Sequence, residues 1–487
     1  MTTGDDPAAP KPTLPDNTDN TNKDGLPRDV RDEYVNPLEQ SARWYLATQA
    51  YGLRSGAGLA FGISGRYSPS PPSPARTIYL DATLGRCKEK GAIRVDVYAP
   101  RGHFRSSGSG SGSGNGTANG KNGSRAGSKR GSAASSRVDL VRQQDGGTLS
   151  RTASESTVQS AVSEGAADLS TRSTKQRRKR LKRHLSRTVS AMSFSSVEFQ
   201  QDEAATVDAM LPVPRLGVIN FHGGGFILGN GTDDARWAAA AVAQLDAVVF
   251  SVNYRLAPSY PYPTPVEDCA DAILQIAQRA DELGVDAERL VVSGFSAGGT
   301  LSLASWCLLQ DPRRWGYELP RPAPALAGFA LYYPLLDWTV SRPDKRLGCA
   351  RPDLTLPKGM TDLFDASYLH PPIPRERRDD PRLSPGLMPD AMLERLPPVH
   401  LCLCEFDMLL AEGRRFAERL RARGRPVELR VVEREKHAWD KPPPMAPKRS
   451  ADVEYRAAIE TIQAWVASRA DDGEDDDDPE IRAALTT

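Results

Sequence analysis

Apolar residues come in short, dense runs along this chain. They fall at 76–81 (RTIYLD), 93–99 (IRVDVYA), 216–221 (LGVINF), 247–253 (AVVFSVN), 289–294 (RLVVSG), 326–333 (LAGFALYY), 398–404 (PVHLCLC) and 426–432 (PVELRVV). Between several of these runs the spacing changes to that of a helix, over 265–283, 297–310, 409–423 and 451–469. Strands buried on both faces have no polar side and read as near-continuous Val, Ile and Leu. Their alternation with amphipathic helices predicts an α/β fold, with a mostly parallel eight-stranded sheet flanked by helices. The richest window, WAAAAVAQLDAVVFSV (237–252), is interrupted by Gln244 and Asp246 and reads as a helix leading into a buried strand. No window reaches the roughly 18 uninterrupted apolar residues of a membrane span. No internal repeat of roughly 20–50 residues recurs.

The pattern divides the chain into five stretches. Residues 1–27 form a polar, Pro-rich tail, expected to be disordered. Residues 28–103 mix a helical pattern with the first strands. Residues 104–197 are a low-complexity insert, beginning with Gly and Ser repeats and too poor in apolar side chains to offset chain entropy. Residues 198–469 return to globular composition, and 470–487 form an acidic tail. The insert interrupts the chain between the strands at 93–99 and 216–221. Closure entropy grows only logarithmically with loop length, so both strands can still join one sheet.

Charge changes the picture further. The 487 residues carry 63 Lys+Arg and 62 Asp+Glu, a net charge of +1. Residues 101–190 alone hold 18 basic and 5 acidic residues, a local +13 that leaves −12 on the remainder. The whole molecule is therefore no general attractor of nucleic acid, and its neutrality hides a basic insert on an acidic body. Six cysteines without a CxxC pair exclude a disulfide scaffold and a Cys-rich zinc module. The acidic, Pro-rich N-terminus lacks the basic start and apolar run of a signal peptide. The expectation is a cytoplasmic protein with reduced thiols, with attachment to a membrane periphery or a lipid droplet as the association its basic segment would permit.

The strongest chemical signal is Gly294-Phe295-Ser296-Ala297-Gly298-Gly299, placed after a strand run and before a helical pattern. This is the G-x-S-x-G elbow in its required strand–turn–helix context, which lifts the serine hydroxyl out at the top of a sheet. The helix N-terminus that follows favours developing negative charge. The second signal is His222-Gly223-Gly224-Gly225-Phe226, directly after LGVINF. Successive glycines expose backbone N–H groups, which can bind an oxyanion together with the N–H of Ala297. A nucleotide loop would need a following Lys-Ser/Thr or GxGxxG spacing, and neither is present.

A serine nucleophile needs a base, and the base needs an orienting acid. The chain has six histidines. His103 and His184 lie at or in the insert, His222 belongs to the glycine loop, His370 sits among prolines, and His400 lies within a strand run. His437, just beyond the last strand, remains, and a loop there projects at the same sheet edge as Ser296. For the acid, Asp407 after the strand at 398–404 fits best. Glu405, Glu412 and Asp337 are its rivals.

Together, HGGGF, YRLAPSYPYPTPVED (254–268), GFSAGG and DMLLAEG followed by His437 resemble the hormone-sensitive-lipase-like branch of the α/β hydrolases. The resemblance covers about 76–103 and 198–469. It implies an α/β-hydrolase fold with a helical lid, and the triad Ser296, Asp407 and His437. It implies an oxyanion hole of Gly224, Gly225 and Ala297, supported by His222, Gly223, Gly294 and Gly298. Tyr254 and Asp268 would be structural supports. The lid would come from 30–56, where apolar residues keep helical spacing, and from 345–375. Trp44, Tyr45, Phe226 and Tyr254 are candidates for an acyl pocket. Phe295 stands where the family usually carries an acidic residue, which implies a different set of contacts around the elbow.

The expected function is a carboxylesterase or lipase acting on a small-molecule ester or lipid through an acyl-enzyme, with no cofactor and no metal. An amidase or deacetylase with the same triad is one alternative. A non-catalytic small-molecule binder, like the gibberellin receptors of the family, is another. Those receptors replace the triad histidine, which is present here. The run KQRRKRLKRHLSRTVSAMSF (175–194) places Leu181, Leu185, Val189 and Met192 at helical spacing among basic residues. It suits an anionic membrane surface or a calmodulin-like partner, and Arg residues three before Ser154, Ser186 and Ser190 suit a basophilic kinase. A solvated charge run is the plainer reading. No element for specific nucleic-acid recognition is present. Oligomeric state has no signature in the sequence.

Overall fold

A computed structural model describes residues 34–64, 72–85, 91–104, 214–319, 322–441 and 448–475. The chain divides into two units, Met1–Ser107 with Ala209–Thr487, and Gly108–Asp208. All described residues belong to the first. The expectations for 1–27, for the basic insert beyond Phe104 with its amphipathic run, and for the tail beyond Asp475 lie outside the described residues.

The eight expected strands are all present. They are β1 (Arg76–Asp81), β2 (Ala92–Tyr98), β3 (Arg215–Phe221), β4 (Val248–Asn253), β5 (Val285–Phe295), β6 (Leu326–Tyr332), β7 (Val399–Phe406) and β8 (Val427–Lys436). They form one sheet in the order β1-β2-β4-β3-β5-β6-β7-β8. β2 pairs antiparallel with both β1 and β4, and every other pairing is parallel. The strands that flank the insert therefore share one sheet, separated by β4.

Helices cover both faces. They are α1 (Arg43–Ser64), α2 (Ala235–Leu245), α3 (Thr264–Gln278), α4 (Ala297–Gln310), α5 (Arg342–Leu347), α6 (Lys358–Tyr368), α7 (Leu410–Ala422) and α8 (Arg449–Asp475), with one-turn helices at Ala280–Leu283 and Asp390–Leu393. Successive strand residues point to opposite sides. Ile219 and Phe221 thus join the core under α3, α4 and α7, whereas Leu216 and Val218 join the core under α2 and α8. Both cores are sealed: Val218, Ile219, Phe221, Val291 and Val292 are all fully buried.

Three boundaries differ from expectation for local reasons. Among the described residues of 30–56 the helix begins at Arg43, because Pro37 lies in a turn and the Asn36 side chain accepts from Leu38 N at 2.9 Å. The helix expected over 265–283 breaks at Arg279, whose φ of −103° and ψ of 18° end α3. The last helix runs six residues past 469, into the stretch expected as tail.

Above the carboxyl edge of the sheet, α1 packs on α6. Their seam is polar at the rim: Tyr34 donates to Asp362 at 2.6 Å, and Arg378 pairs with Glu39 at 2.6 Å. Arg54 of α1 donates to the carbonyls of Ile227 and Ala257, at 2.6 and 2.8 Å. The two expected lid segments are thus fastened to each other and to the loops around the glycine motif.

Candidate active site

The elbow begins where β5 ends. Phe221 of β3 pairs with Gly294, and Phe295 pairs with Tyr332 of β6, so the turn leaves the sheet between two strands. Ser296 occupies φ 52° and ψ −118°, a conformation that is strained for a residue with a side chain. Its N–H donates to Tyr332 O at 2.8 Å, which holds the turn. α4 then starts at Ala297. The chain is so close to β3 that a Cβ on Gly298 would lie 1.9 Å from Phe221 O, so only glycine fits.

The His222 loop lies against this turn. A Cβ on Gly223 would lie 3.4 Å from Ser296 Cβ, so the loop and the serine are in contact. Gly224 has φ 114°, and its carbonyl accepts from Ile227 and Leu228 N–H at 3.1 and 2.9 Å. Among the described residues, no backbone hydrogen bond occupies the N–H groups of Gly224, Gly225 or Ala297. His222 is a support: its ring stacks on Tyr254 at 4.3 Å, and Tyr254 OH donates to His222 O at 2.7 Å. Arg255 and Asp268 hold the next turn with a buried ion pair at 2.6 Å.

His437 lies one residue beyond β8 and Asp407 one beyond β7. Ser296 Oγ is 2.8 Å from His437 Nε2, and His437 Nδ1 is 2.6 Å from Asp407 Oδ2. A carboxylate only accepts, so Nδ1 carries the hydrogen and Nε2 is free to accept from the serine hydroxyl. The His437 and Asp407 side chains are buried, and Ser296 is half-buried. The rival acids are engaged elsewhere. Glu405 accepts from Arg434 N at 2.6 Å, Glu412 from Leu336 N at 2.7 Å, and Asp337 from Thr339 N at 2.8 Å. His400 is a core residue of β7, bonded to Thr461 at 3.0 Å, and desolvation depresses it to about 4. Among the described residues, no group of three or more His, Cys, Asp or Glu is arranged to hold a metal ion.

Phe295 accounts for its own exception. Its ring is buried flat against Tyr332 at 4.4 Å, and Lys441 Nζ stands 3.6 Å from its centroid. Lys441 also bridges Asp234 and Asp440 at 2.7 and 2.8 Å. Burial alone would lower its ammonium, but the two carboxylates outweigh that and hold it above its ordinary value. Tyr333 and Tyr455 both donate to Asp440. Tyr333 also meets the His437 ring edge-on at 4.8 Å, so this network braces the back of the site. Motif reading missed Lys441 and Asp440, although both lie within four residues of His437 in HAWDK.

The pocket candidates separate into two groups. Trp44 is 72% exposed and Tyr45 39%, because α1 turns Leu46 and Ala50 inward instead. Tyr254 lies behind the His222 loop. Phe226 is buried and stacks on Tyr368 of α6 at 3.8 Å, with Trp338 at 5.9 Å. Phe364 of α6 covers Gly225, where an added Cβ would come within 2.2 Å of its ring.

The α/β hydrolase fold family matches residues 218–441. Esterase LipI of Mycobacterium tuberculosis is 34% identical over 229 residues, which span 46% of this chain and 65% of that protein. Carboxylic ester hydrolase LipN of the same organism is 35% identical over 222 residues, 44% of this chain and 54% of its own length. This chain therefore spans less than two thirds of either mycobacterial relative. An arylesterase of Saccharolobus solfataricus is 31% identical over 233 residues, 47% of this chain and 70% of that protein. A crystal structure of an α/β hydrolase from the metagenome of Lake Arreo, Spain, shares the fold. Its TM-score is 0.52 at 20% identity, over 88% of this chain and 92% of that one. With the elbow, the glycine loop and the eight-stranded sheet in place, the chain belongs to the hormone-sensitive-lipase-like branch of the α/β hydrolases.

Proposed function

We propose that this protein is a serine hydrolase that cleaves carboxylic esters, with Ser296 as nucleophile, His437 as base and Asp407 as its orienting acid. The observation that carries the reading is the unbroken relay from Ser296 Oγ through His437 to Asp407, at 2.8 and 2.6 Å. As Ser296 Oγ bonds to the ester carbonyl carbon, its proton passes to His437 Nε2. The oxyanion is received by the N–H groups of Gly224, Gly225 and Ala297, each worth about 3–4 kcal/mol in comparable sites. Collapse breaks the ester C–O bond, and His437 returns its proton to the leaving alcohol. Water then attacks the acyl-Ser296 under the same base and releases the acid.

The proposed substrate is a small-molecule ester whose acyl group is bounded by Phe226, Trp338, Phe364 and Tyr368. The names of the relatives, an esterase, a carboxylic ester hydrolase and an arylesterase, agree with an ester. A purely binding role gains no support from a site with its base in place. Hydrolysis of p-nitrophenyl esters from acetyl to palmitoyl, with Ser296→Ala as blank, tests the proposal. Turnover that disappears in the variant is expected. A folded wild-type protein inert towards every ester, or an alanine variant that still turns over, would overturn it.

A further inference from the structure

The Asp407 carboxylate has a second oxygen that faces away from His437. Its Oδ1 accepts from Leu409 N at 3.2 Å and lies 3.5 Å from the hydroxyl of Thr355. Thr355 comes from the segment between α5 and α6, 52 positions before Asp407, and is buried. Its Oγ1 also accepts from Met408 N at 3.1 Å, so its own hydrogen is left for Asp407 Oδ1. Three residues further on, the same segment enters α6, which carries Phe364 over Gly225. One stretch of chain thus touches the acid at one end and the oxyanion loop at the other.

We infer that Thr355 is a positioning residue, which makes the alignment of Asp407 on His437 depend on the seating of the lid segment. The inference rests on the triad reading above. Its logic is geometric. From its own loop the Leu409 N–H reaches the same Oδ1 at 3.2 Å, while the Met408 N–H is bonded to Thr355 and not to the acid. Thr355 is the contact that comes from the lid. Without its hydroxyl, Met408 N–H loses its acceptor and Oδ1 loses a donor, and the carboxylate is freer to rotate off His437 Nδ1. The ionisable groups facing the pair are Arg342 and Cys349 of the lid, Cys404 of β7 and Tyr333 at the end of β6. A substitution at Thr355 leaves all four unchanged.

The test compares Thr355→Val, which keeps the shape and removes the hydroxyl, with Thr355→Ser, which restores it. Both are assayed on p-nitrophenyl acetate over pH 5–9 alongside Ser296→Ala. A small misplacement of a catalytic group costs roughly ten- to a hundredfold. The valine variant should lose kcat by that order with KM little changed, and its acid limb in kcat/KM should move to lower pH. The direction follows because a carboxylate rotated off Nδ1 stabilises the protonated imidazole less. The serine variant should return both towards wild type. An unchanged kcat and acid limb in Thr355→Val would overturn the inference, as would a kcat loss with an unmoved limb that serine does not rescue. If the valine variant does not fold, Thr355→Cys, of similar size but a much weaker donor, gives the same reading of the limb. Failure of the triad itself looks different: Ser296→Ala would then still hydrolyse the ester.

Discussion

Asp407 presents one carboxylate oxygen to His437 Nδ1 at 2.6 Å from a loop 30 residues earlier in the chain. That contact decides which imidazole nitrogen is protonated and therefore whether Nε2 can accept from Ser296. Asp407→Asn would keep the size of the side chain but offer an N–H where His437 needs an acceptor. In triads of this kind the wrong tautomer costs about 10⁴-fold in kcat. We expect a loss of that order on a short ester, with the melting temperature little changed. A loss below tenfold would show that Asp407 does not orient the base.

Gly225 and Phe364 meet where the proposed oxyanion loop passes under α6. A Cβ on Gly225 would fall 2.2 Å from the Phe364 ring, while the Gly225 N–H would remain in the chain. Gly225→Ala should therefore depress kcat by displacing the loop rather than by deleting a donor, by up to the roughly 10²–10³-fold seen for one lost donor. Adding Phe364→Ala should recover part of that loss. Steady-state kinetics on the two single variants and the double checks it. No recovery would mean that the strain of an alanine at the φ of 58° that Gly225 adopts, and not the lid contact, sets the cost.

Much of this arrangement was legible in the sequence, and the parts that were not share a cause. The strands at 76–81 and 326–333 and the helix at 297–310 fell within a residue of their observed bounds, because each is an uninterrupted apolar or periodic run closed by Gly, Pro or Asp. The G-x-S-x-G elbow was readable because a tight turn permits few residues. Asp407 was separated from Glu405, Glu412 and Asp337 only with help from the family resemblance, since Glu405 and Asp337 also lie at or just past strand ends and Glu412 on the helix that follows. Thr355, Phe364, Lys345 and Lys441 were not identified. Each acts through a partner far along the chain or on another element, and such contacts leave no period in the sequence. α1 began later than expected because hydrophobic spacing continued through Pro37, where the backbone could not.

Lys345 and Glu412 form an ion pair whose side chains are 4% and 2% exposed. Lys345 also donates to the Asp337 carbonyl, and Glu412 accepts from Leu336 N. Burial pushes the lysine ammonium down and the glutamate up, so each depends on the other to stay charged. Removing one partner from a buried pair typically costs 3–5 kcal/mol, because the other charge is left uncompensated. Lys345→Met should lose about that much in urea unfolding, and Lys345→Met with Glu412→Gln should lose clearly less. Additive losses would mean that the pair is not coupled.

His400 gives the fold an acid sensitivity that does not involve the active site. It is fully buried in β7, and desolvation lowers it from 6.5 to about 4. Between those values the unfolded chain binds a proton there and the folded protein does not, so stability falls as pH drops from about 6.5 and levels off near 4. The slope is about 1.4 kcal/mol per pH unit, or roughly 3 kcal/mol over the window. His400→Gln removes the titration, so the difference in unfolding free energy between variant and wild type should grow in the variant's favour from pH 7 to pH 4.5. A constant difference would assign the acid sensitivity to other groups.

The two ends of the interrupted segment meet at the edge of the sheet opposite the catalytic one. His103 Nδ1 lies 3.1 Å from Arg215 Nη1, and His103 Nε2 lies 2.9 Å from Leu283 O, just before β5 begins. β3 runs from Arg215 towards Phe221, in register with Gly294 near the elbow. Seven residues at about 3.3 Å each therefore put roughly 20 Å between the exit of the segment and the serine. A Gly/Ser linker of about ten residues reaches about 17 Å, enough to rejoin ends whose flanking side chains already touch. Replacing 105–213 with such a linker should leave kcat/KM on p-nitrophenyl acetate within about twofold, because the cut ends lie far from the serine. A variant that folds with the melting temperature of the wild type but loses activity would show that the segment takes part in catalysis, despite leaving the sheet at the far edge.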